Sequence, residues 1–191
     1  MHLTEIIGWF GFALYLIAYF LLAINRIAAG TLYFSLNIVA ALGITVVSMY
    51  KGTYQAVVVN VLWIGISCLG ITQYKLRNFF DARTPFRISM IILLAIAVAL
   101  VLSGQDHWAI ALLGWIYVLA FILSYLLFVD RRITLFEFHI WNFVAPLSIL
   151  PKLIVDANWP VFALEVFWAL SASFGIAQKF ILVRERSPKR Q

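Results

Sequence analysis

The sequence is poor in charge and nearly free of cysteine, and each shortage excludes a class of protein. Asp, Glu, Lys and Arg make up 12% of the 191 residues, against about 25% in soluble domains. A soluble chain of this length could not bury the 64% of residues that are hydrophobic. The single Cys68 excludes an internal disulfide and a cysteine metal site, and we expect it to be a small buried side chain.

Catalytic and metal-binding patterns are also missing. His2, His107 and His139 are too scattered for a metal or haem site, so we predict neither a metal nor a cofactor. The sequence has no nucleophile–base pair, zinc-protease pattern or phosphate loop, so we do not expect an enzyme. The last apolar run has no lysine before Lys179, which argues against a retinal protein.

Long apolar runs are what the sequence has in abundance. A helix needs about 20 apolar residues to cross a bilayer, and seven windows qualify. The connections between them are short, so we predict an all-α integral membrane protein with seven transmembrane helices. The windows are about 5–24, 32–50, 55–74, 88–103, 108–129, 134–150 and 160–179.

The chain also repeats itself, with an offset of 106 residues at first and 105 from Asn37 onward. Self-similarity at a fixed spacing is a signal about the whole fold. Each copy holds three apolar runs, and a lone run lies between the copies. The matched pairs include Gly8 with Gly114, Tyr19 with Tyr125, Asn37 with Asn142, Trp63 with Trp168 and Gly70 with Gly175.

This layout predicts two three-helix bundles joined by a linker helix, a 3+1+3 arrangement. The extra span makes the bundles parallel, related by a pseudo-two-fold axis along the membrane normal, as in one class of transporter. The predicted parts are a first bundle (1–75), a cytoplasmic loop with the linker helix (76–105), a second bundle (106–180) and a basic cytoplasmic tail (181–191). Two bundles in one chain are compatible with a monomer, and a homo-oligomer stays open.

The net charge of +6 reflects membrane topology rather than nucleic-acid binding. We name the side of the membrane that holds the N-terminus side A. Of the Lys and Arg residues, side A receives only Lys51 and Lys152, and the opposite side B receives the rest. The positive-inside rule predicts N-outside and C-inside topology, with the basic tail against anionic lipid. The side B cations are Arg26, Lys75, Arg77, Arg83, Arg87, Arg131, Arg132, Lys179, Arg184, Arg186, Lys189 and Arg190.

Gly8-Trp9 near the start and Asn60 with Trp63 in the third span complete a layout that resembles a known group. It is similar to the SWEET, SemiSWEET and PQ-loop transporters of sugars and small solutes, and to short bacterial inner-membrane proteins with one or two such bundles. The resemblance covers nearly the whole chain. It implies alternating access between the bundles, a substrate site near mid-membrane, and the bacterial inner membrane as location.

Proline is where the chain departs from that group. SWEET-type bundles carry a proline in the first helix of each unit, and neither the first nor the fifth span has one here. The candidate hinge within a span is Pro146, in the sixth. Pro151 and Pro160 are expected at span ends, where proline is tolerated.

Polar residues of the third and seventh spans form the predicted substrate site. Polar groups deep in a bilayer are costly and mark functional sites. Asn60, Trp63 and Ser67 share one helical face, and Glu165 and Trp168 repeat the first two positions in the second copy. By the resemblance, Asn60 and Glu165 would hold the substrate while the tryptophans stack on a ring. The alternatives are structural hydrogen bonds for the polar pair and core packing for the tryptophans.

Glu165 leads to a further hypothesis. A low-dielectric site disfavours the charged form of a carboxyl group. Glu165 would then donate a hydrogen bond, pair with a cationic substrate or carry a proton. We therefore hypothesise that transport is proton-sensitive through Glu165.

Two more matched pairs are predicted toward side B. Asn37 and Asn142 suit either a gate or a hydrogen bond between helices that builds the bundle. Tyr19 and Tyr125 suit an aromatic belt or a gate.

The start of the sixth span, where the one-residue gap falls, carries Glu137 and His139. We expect neither to have a counterpart in the first copy. Glu137 is expected to pair with Arg131 or Arg132.

The leading functional hypothesis is a small-solute membrane transporter. We expect membrane lipid and a small-molecule substrate as its partners, and no nucleic acid. The alternative is a non-transporting scaffold or accessory subunit with the same fold. The central interface discriminates the two, because a transporter needs a polar-lined cavity there that contains Asn60 and Glu165, whereas a scaffold would be packed.

Overall fold

The computed structural model describes residues 2–23, 26–27, 30–72, 83–129 and 132–186, with only the backbone at 22–23, 129 and 178–186. Within these ranges the chain forms seven α-helices and no strand, and each helix is long and apolar enough to cross a membrane. The prediction of an all-α, seven-span chain is confirmed. The helices are α1 (Leu3–Ala23), α2 (Thr31–Lys51), α3 (Tyr54–Thr72), α4 (Arg83–Leu102), α5 (Asp106–Val129), α6 (Leu135–Val155) and α7 (Trp159–Arg186).

Three helix boundaries differ from the predicted windows. Helix α4 begins at Arg83, five residues early, and α7 continues to Arg186, so that the first part of the predicted tail is helical. Helix α6 continues to Val155, so the prediction that Pro151 ends the sixth span is wrong. The predicted loop cations Lys75, Arg77 and Arg131 and residues 187–191 lie outside the described residues.

Recognisable stop and start signals separate the helices. Gly52 and Gly104 end α2 and α4 with φ of 73°, a left-handed conformation that glycine adopts without steric cost. Pro160 lies in the first turn of α7, where a missing N–H leaves no helix bond unmade. On side B, Thr134 caps α6 by accepting a hydrogen bond from the backbone N–H of Glu137 at 3.2 Å.

The helices pack as two similar sets. Helix α2 packs against α1 and α3, α6 packs against α5 and α7, and α3–α5 and α1–α7 contacts join the sets. Glycine allows the α1–α2 approach, because a Cβ on Gly11 would lie 2.8 Å from the carbonyl oxygen of Ala40. A Cβ on Gly43 would lie 2.9 Å from the carbonyl oxygen of Ile7. Small residues at such crossings are typical of membrane helices.

Helix α4 is attached to the second set. It packs along α5, and Phe86 contacts Trp141 of α6 with ring centroids 4.9 Å apart. Glu137 of α6, expected to pair with Arg131 or Arg132, accepts hydrogen bonds from Arg87 and Arg83 of α4. An ion pair and an aromatic contact therefore hold the side B end of α4 against α6.

The outward faces of the helices are apolar and exposed, as lipid contact requires. Leu102, Leu170 and Phe174 are examples of large hydrophobic side chains on this surface. Cys68 also lies there, so the prediction that it is buried is wrong. Its neighbour Ser67 faces the interior, and one residue along a helix turns the side chain by about 100°.

Candidate functional site

Two aromatic pairs join the helix sets in the half of the interface nearer side B. Tyr19 of α1 packs edge-on against Trp168 of α7, with ring centroids 5.7 Å apart. Tyr125 of α5 packs in the same way against Trp63 of α3, at 5.5 Å. The two pairs are equivalent under the sequence repeat, so each set contributes a first-helix tyrosine and a third-helix tryptophan to the other.

A second matched pair of contacts joins the sets nearer side A. A Cβ on Gly8 of α1 would lie 3.1 Å from the ring of Pro160 of α7. A Cβ on Gly114 of α5 would lie 3.1 Å from the side chain of Gln55 of α3. Pro160 and Gln55 are equivalent by the 105-residue offset, so both halves of the interface obey the same two-fold relation.

Between these contacts lies a cavity of about 270 Å³. Its wall is mostly aromatic, with a few polar side chains. Nine of the ten residues predicted as site, gate or hinge line it, and Pro146 does not. The lining residues are Tyr15, Tyr19, Tyr33, Phe34, Asn37, Val59, Asn60, Trp63, Ile66, Ser67, Tyr117, Phe121, Tyr125, Phe138, Asn142, Leu164, Glu165 and Trp168.

Asn60 is buried, and both ends of its amide are bonded. Its Oδ1 accepts a hydrogen bond from the Tyr15 hydroxyl of α1 at 3.0 Å. Its Nδ2 donates to the carbonyl oxygen of Ala56, one turn back on its own helix, at 2.9 Å. Asn60 therefore lines the cavity and also makes the cross-helix bond that the structural alternative expected.

Glu165 is the acidic member of the wall and is only half satisfied. It is 2% exposed, and its Oε1 accepts a hydrogen bond from the Tyr117 hydroxyl at 2.7 Å. Its Oε2 is buried and has no hydrogen-bond partner among the described residues. Buried carboxylate oxygens without a partner are costly, so Glu165 is a lining residue with an unmet need for a hydrogen-bond donor.

The two tyrosine bonds come from different turns of the equivalent helices. Tyr117 occupies the position of Gly11 in the first copy, and Phe121 occupies that of Tyr15. Each first helix therefore donates a hydroxyl to the third helix of its own set, but one helical turn apart. The sequence repeat, which aligns glycine with tyrosine here, gave no sign of this bond, and both tyrosines were missed.

Asn37 and Asn142 each form a hydrogen bond within their own helix rather than with each other. Each Nδ2 donates to a carbonyl oxygen four residues back on its own helix, to Tyr33 at 2.7 Å and to Phe138 at 2.8 Å. The hydrogen bonds that the structure gives these amides are thus within a helix, and the bond between helices that was predicted as one option is not formed. Both residues stay in the cavity wall on the side B half.

His139 has a counterpart in the first copy after all. Its ring lies over Gly175 of α7, where a Cβ would come within 2.6 Å of it. In the same way the ring of Phe34 lies over Gly70 of α3, within 2.5 Å of a built Cβ. The 105-residue offset therefore holds from Phe34 onward, and the expectation that His139 lacks an equivalent is wrong.

A buried polar cluster closes the side A end of the interface. Thr53 Oγ1 donates to Asp156 Oδ2 at 2.7 Å, and Asn158 Nδ2 lies 3.2 Å from both Thr53 Oγ1 and Ser48 Oγ. Ser48 belongs to the last turn of α2, Thr53 to the α2–α3 turn, and Asp156 and Asn158 to the equivalent α6–α7 turn. We name Ser48, Thr53, Asp156 and Asn158 the side A cluster. Polar residues in short turns are ordinarily solvated, so the sequence gave no reason to single them out.

Pro146, the predicted hinge, lies buried within α6 rather than in the cavity wall. Having no N–H, it cannot bond the carbonyl oxygen of Asn142, four residues earlier. Helix α6 therefore lacks one backbone hydrogen bond next to Asn142, which lines the cavity. Among the described residues, no three His, Cys, Asp or Glu side chains are grouped as metal ligands would be.

Comparison with known families addresses the duplication directly. One family model matches the chain twice, over residues 4–78 and over residues 110–184. The chain belongs to this family. The two matches begin 106 residues apart, so the predicted internal repeat is confirmed.

The family match supplies no activity. Searches among curated proteins and among solved structures gave no match. The cavity itself is therefore the feature that bears on function.

Proposed function

We propose that the protein is a small-solute membrane transporter that works by alternating access between its two three-helix units. The observation that carries the proposal is the cavity at their interface, which contains Asn60 and Glu165 at equivalent positions. Substrate sites of repeat-built transporters lie at such interfaces near the bilayer midplane. Asn60, Glu165, Trp63, Trp168 and Ser67 would bind the solute.

The matched contacts support two parallel bundles with α4 as linker. Tyr19–Trp168 repeats as Tyr125–Trp63, as a pseudo-two-fold axis through the cavity would require. Such symmetry is what alternating access uses, because each unit can rock against an equivalent partner. The likeness to SWEET and PQ-loop proteins remains part of this proposal, as does a monomer as the working unit.

Charge supports an N-outside, C-inside orientation, in a membrane such as the bacterial inner membrane. The two side A lysines are neutralised locally, Lys51 by Glu5 at 3.0 Å and Lys152 by Asp156. Side B has the excess of Lys and Arg. The positive-inside rule then directs side B to the cytoplasm.

The conformation described is closed toward side A by the side A cluster. Substrate exchange toward that side would require the bonds from Thr53 and Asn158 to break. On the side B half, aromatic rings rather than hydrogen bonds close the interface. The protein would therefore exchange solute with the cytoplasm from a state close to this one.

The scaffold alternative predicts a packed interface. A cavity with a half-satisfied carboxyl group favours transport over it, since a protein without a ligand gains nothing from such a group. Because the first helix of each unit lacks proline, the hinge must lie elsewhere. The backbone hydrogen bond that is missing at Pro146 makes α6 a candidate hinge.

The test is a thermal-shift screen of the purified full chain against a library of sugars, amino acids, nucleosides and amines. We expect at least one hit that raises Tm, that is lost in Asn60→Ala and in Glu165→Ala, and that is transported into proteoliposomes. Cys68→Ala, on the outward face beside Ser67, is the matched control and should keep the hit. If no compound of any class binds, or if binding survives both cavity substitutions, the proposal fails.

A further inference from the structure

The cavity wall contains a carboxyl group that no basic side chain of the described wall neutralises. Glu165 is the one acidic residue among the described lining residues, and no Lys, Arg or His lies among them. Its Oε2 has no partner, as described above. The Tyr117 hydroxyl bonds the other oxygen of Glu165, and the Tyr15 hydroxyl and the Asn60 amide belong to the same wall, so the polar groups around it are uncharged.

An isolated carboxyl group in this setting calls for a positive partner. Burying an unpaired carboxylate is strongly unfavourable even after the surroundings relax. A proton or a bound cation removes that cost, and the protein offers no cation of its own at this point. The unpartnered oxygen therefore favours a ligand with a positively charged hydrogen-bond donor, and the carboxylate repels anions.

Aromatic faces surround the same space. Tyr15, Tyr19, Tyr125, Trp63 and Trp168 belong to the wall, together with Tyr117. Ammonium groups are attracted to aromatic faces, and cages of such rings recognise them in proteins. A carboxylate beside aromatic rings suits a protonated amine better than a neutral polyol, which would leave the carboxylate uncompensated.

The two halves of the cavity differ, which sets the orientation of the ligand. The second unit offers a carboxyl oxygen that has no hydrogen-bond partner, whereas both the oxygen and the nitrogen of Asn60, at the equivalent position of the first unit, have one. An ammonium group would thus lie against α7. The uncharged part of the ligand would lie toward α3, against Trp63 and Ser67.

We propose that the substrate of this cavity is a monovalent organic ammonium ion, whose N–H donates to Oε2 of Glu165. Calling this ligand a substrate rests on the proposed function, since the site by itself requires only that the ligand binds. Charge-assisted hydrogen bonds of this kind are roughly twice as strong as neutral ones. The ammonium ion takes the place of the proton that otherwise neutralises Glu165, so binding releases a proton to the solvent.

The experiment compares protonated amines with neutral isosteres. The purified full chain is titrated calorimetrically with methylamine, benzylamine and 2-phenylethylamine, and with methanol, benzyl alcohol and 2-phenylethanol. We expect at least one amine to bind at least tenfold more tightly than its alcohol, with proton release seen as a dependence of the heat on the buffer. No binding by any amine, or equal affinity for an amine and its alcohol, overturns the proposal.

Two variants assign the preference to Glu165. Glu165→Gln should lose the tenfold preference, whereas Glu5→Gln, which removes an acidic group from the Lys51 ion pair on side A, should keep it. If Glu165→Gln does not fold, the exchange Asn60→Glu with Glu165→Asn moves the acid to the other unit, where Tyr15 donates to it. A folded exchange variant that retains the preference supports the proposal, and one that lacks it overturns it.

The library screen and the amine titration together distinguish the ammonium proposal from the transporter proposal. Hits in the library screen that are neutral and depend on Asn60 and Glu165 would preserve transport and exclude an ammonium substrate. Ammonium binding at Glu165 without uptake into proteoliposomes would preserve the site and exclude transport.

Discussion

The hydroxyl of Tyr117 donates to Oε1 of Glu165 at 2.7 Å, and this bond is the second unit's version of a bond that Tyr15 makes to Asn60 in the first. The donor has moved one turn along the helix, and the acceptor has changed from an amide to an acid. The bond between first and third helix is kept while the chemistry of the cavity differs between the two units.

Removing these hydroxyls should have unequal costs. Tyr15→Phe leaves Asn60 bonded through Nδ2, so we expect a loss near the average of about 0.6 kcal/mol for membrane hydrogen bonds. Tyr117→Phe leaves both oxygens of Glu165 without a described partner, and we expect about 1–3 kcal/mol. The free energy of unfolding in mixed micelles measures both, with exposed Tyr50→Phe as control. An equal or reversed order would contradict this account of Glu165.

The α1–α2 crossing should not accept a methyl group. In Gly11→Ala the new Cβ would meet the backbone of α2 at 2.8 Å, so the helices must separate. We expect a loss of about 1–3 kcal/mol, typical of overpacking. Gly65→Ala in α3 is the matched control, because a Cβ there meets nothing within 4 Å. Helix propensity alone favours Ala over Gly in both helices, so a comparable loss in the two variants would contradict a packing origin.

The aromatic pairs should restrict access to the cavity. With Cys68 replaced by Ala and Ser67→Cys as a reporter inside the cavity, thiol labelling of the purified protein should be slow. Adding Tyr125→Ala, which removes the ring packed on Trp63, should raise the labelling rate at least several-fold. Tyr50→Ala, at the side A end of α2, should leave the rate unchanged. A rate that Tyr125→Ala does not alter would exclude a gating role for that ring.

Opening of the side A cluster should be needed for transport. Thr53→Cys with Asp156→Cys, joined by a short reducible thiol cross-linker in the Cys68→Ala background, should stop uptake into proteoliposomes, and reduction should restore it. Glu5→Cys with Lys51→Cys cross-links α1 to α2 within one unit, on the same side, and should leave uptake intact. Undiminished uptake in the first cross-linked variant would argue against alternating access through side A.

The pH dependence of uptake should depend on Glu165. The groups that face it, Tyr15, Tyr117 and Asn60, do not titrate near neutral pH as free side chains. For any solute found in the screen, uptake by the wild type should vary between pH 5 and 8, whereas the profile of Glu165→Gln should be flat. Identical profiles for the two proteins would exclude a proton role for Glu165.

Much of the site could be predicted from sequence because it lies on helices with a regular repeat. Spacings of three and seven residues place Asn60, Trp63 and Ser67 on one face, and the duplication transfers that face to Glu165 and Trp168. Tyr15 was within reach of the same reasoning, since it lies four residues before Tyr19 and so shares its face.

Other features depend on contacts between distant segments. The side A cluster joins Thr53 to Asp156 and Asn158, more than 100 positions away, and no local pattern marks such a meeting. The attachment of Glu137 to Arg87 required knowing that α4 lies beside α6. The outward direction of Cys68 followed only once the inner face of α3 was known.

The sequence by itself determined seven apolar helices, their duplication and the mismatched pair Asn60 and Glu165, because hydrophobicity and period are local properties of a chain. Only the tertiary structure decided that this pair lines one cavity, that the oxygen and the nitrogen of Asn60 each have a partner there, and that one oxygen of Glu165 has none. Hydrogen-bond satisfaction depends on which helices meet and at which turn. A shift of one turn, from the position of Tyr15 to that of Tyr117, separates units that the repeat makes look alike.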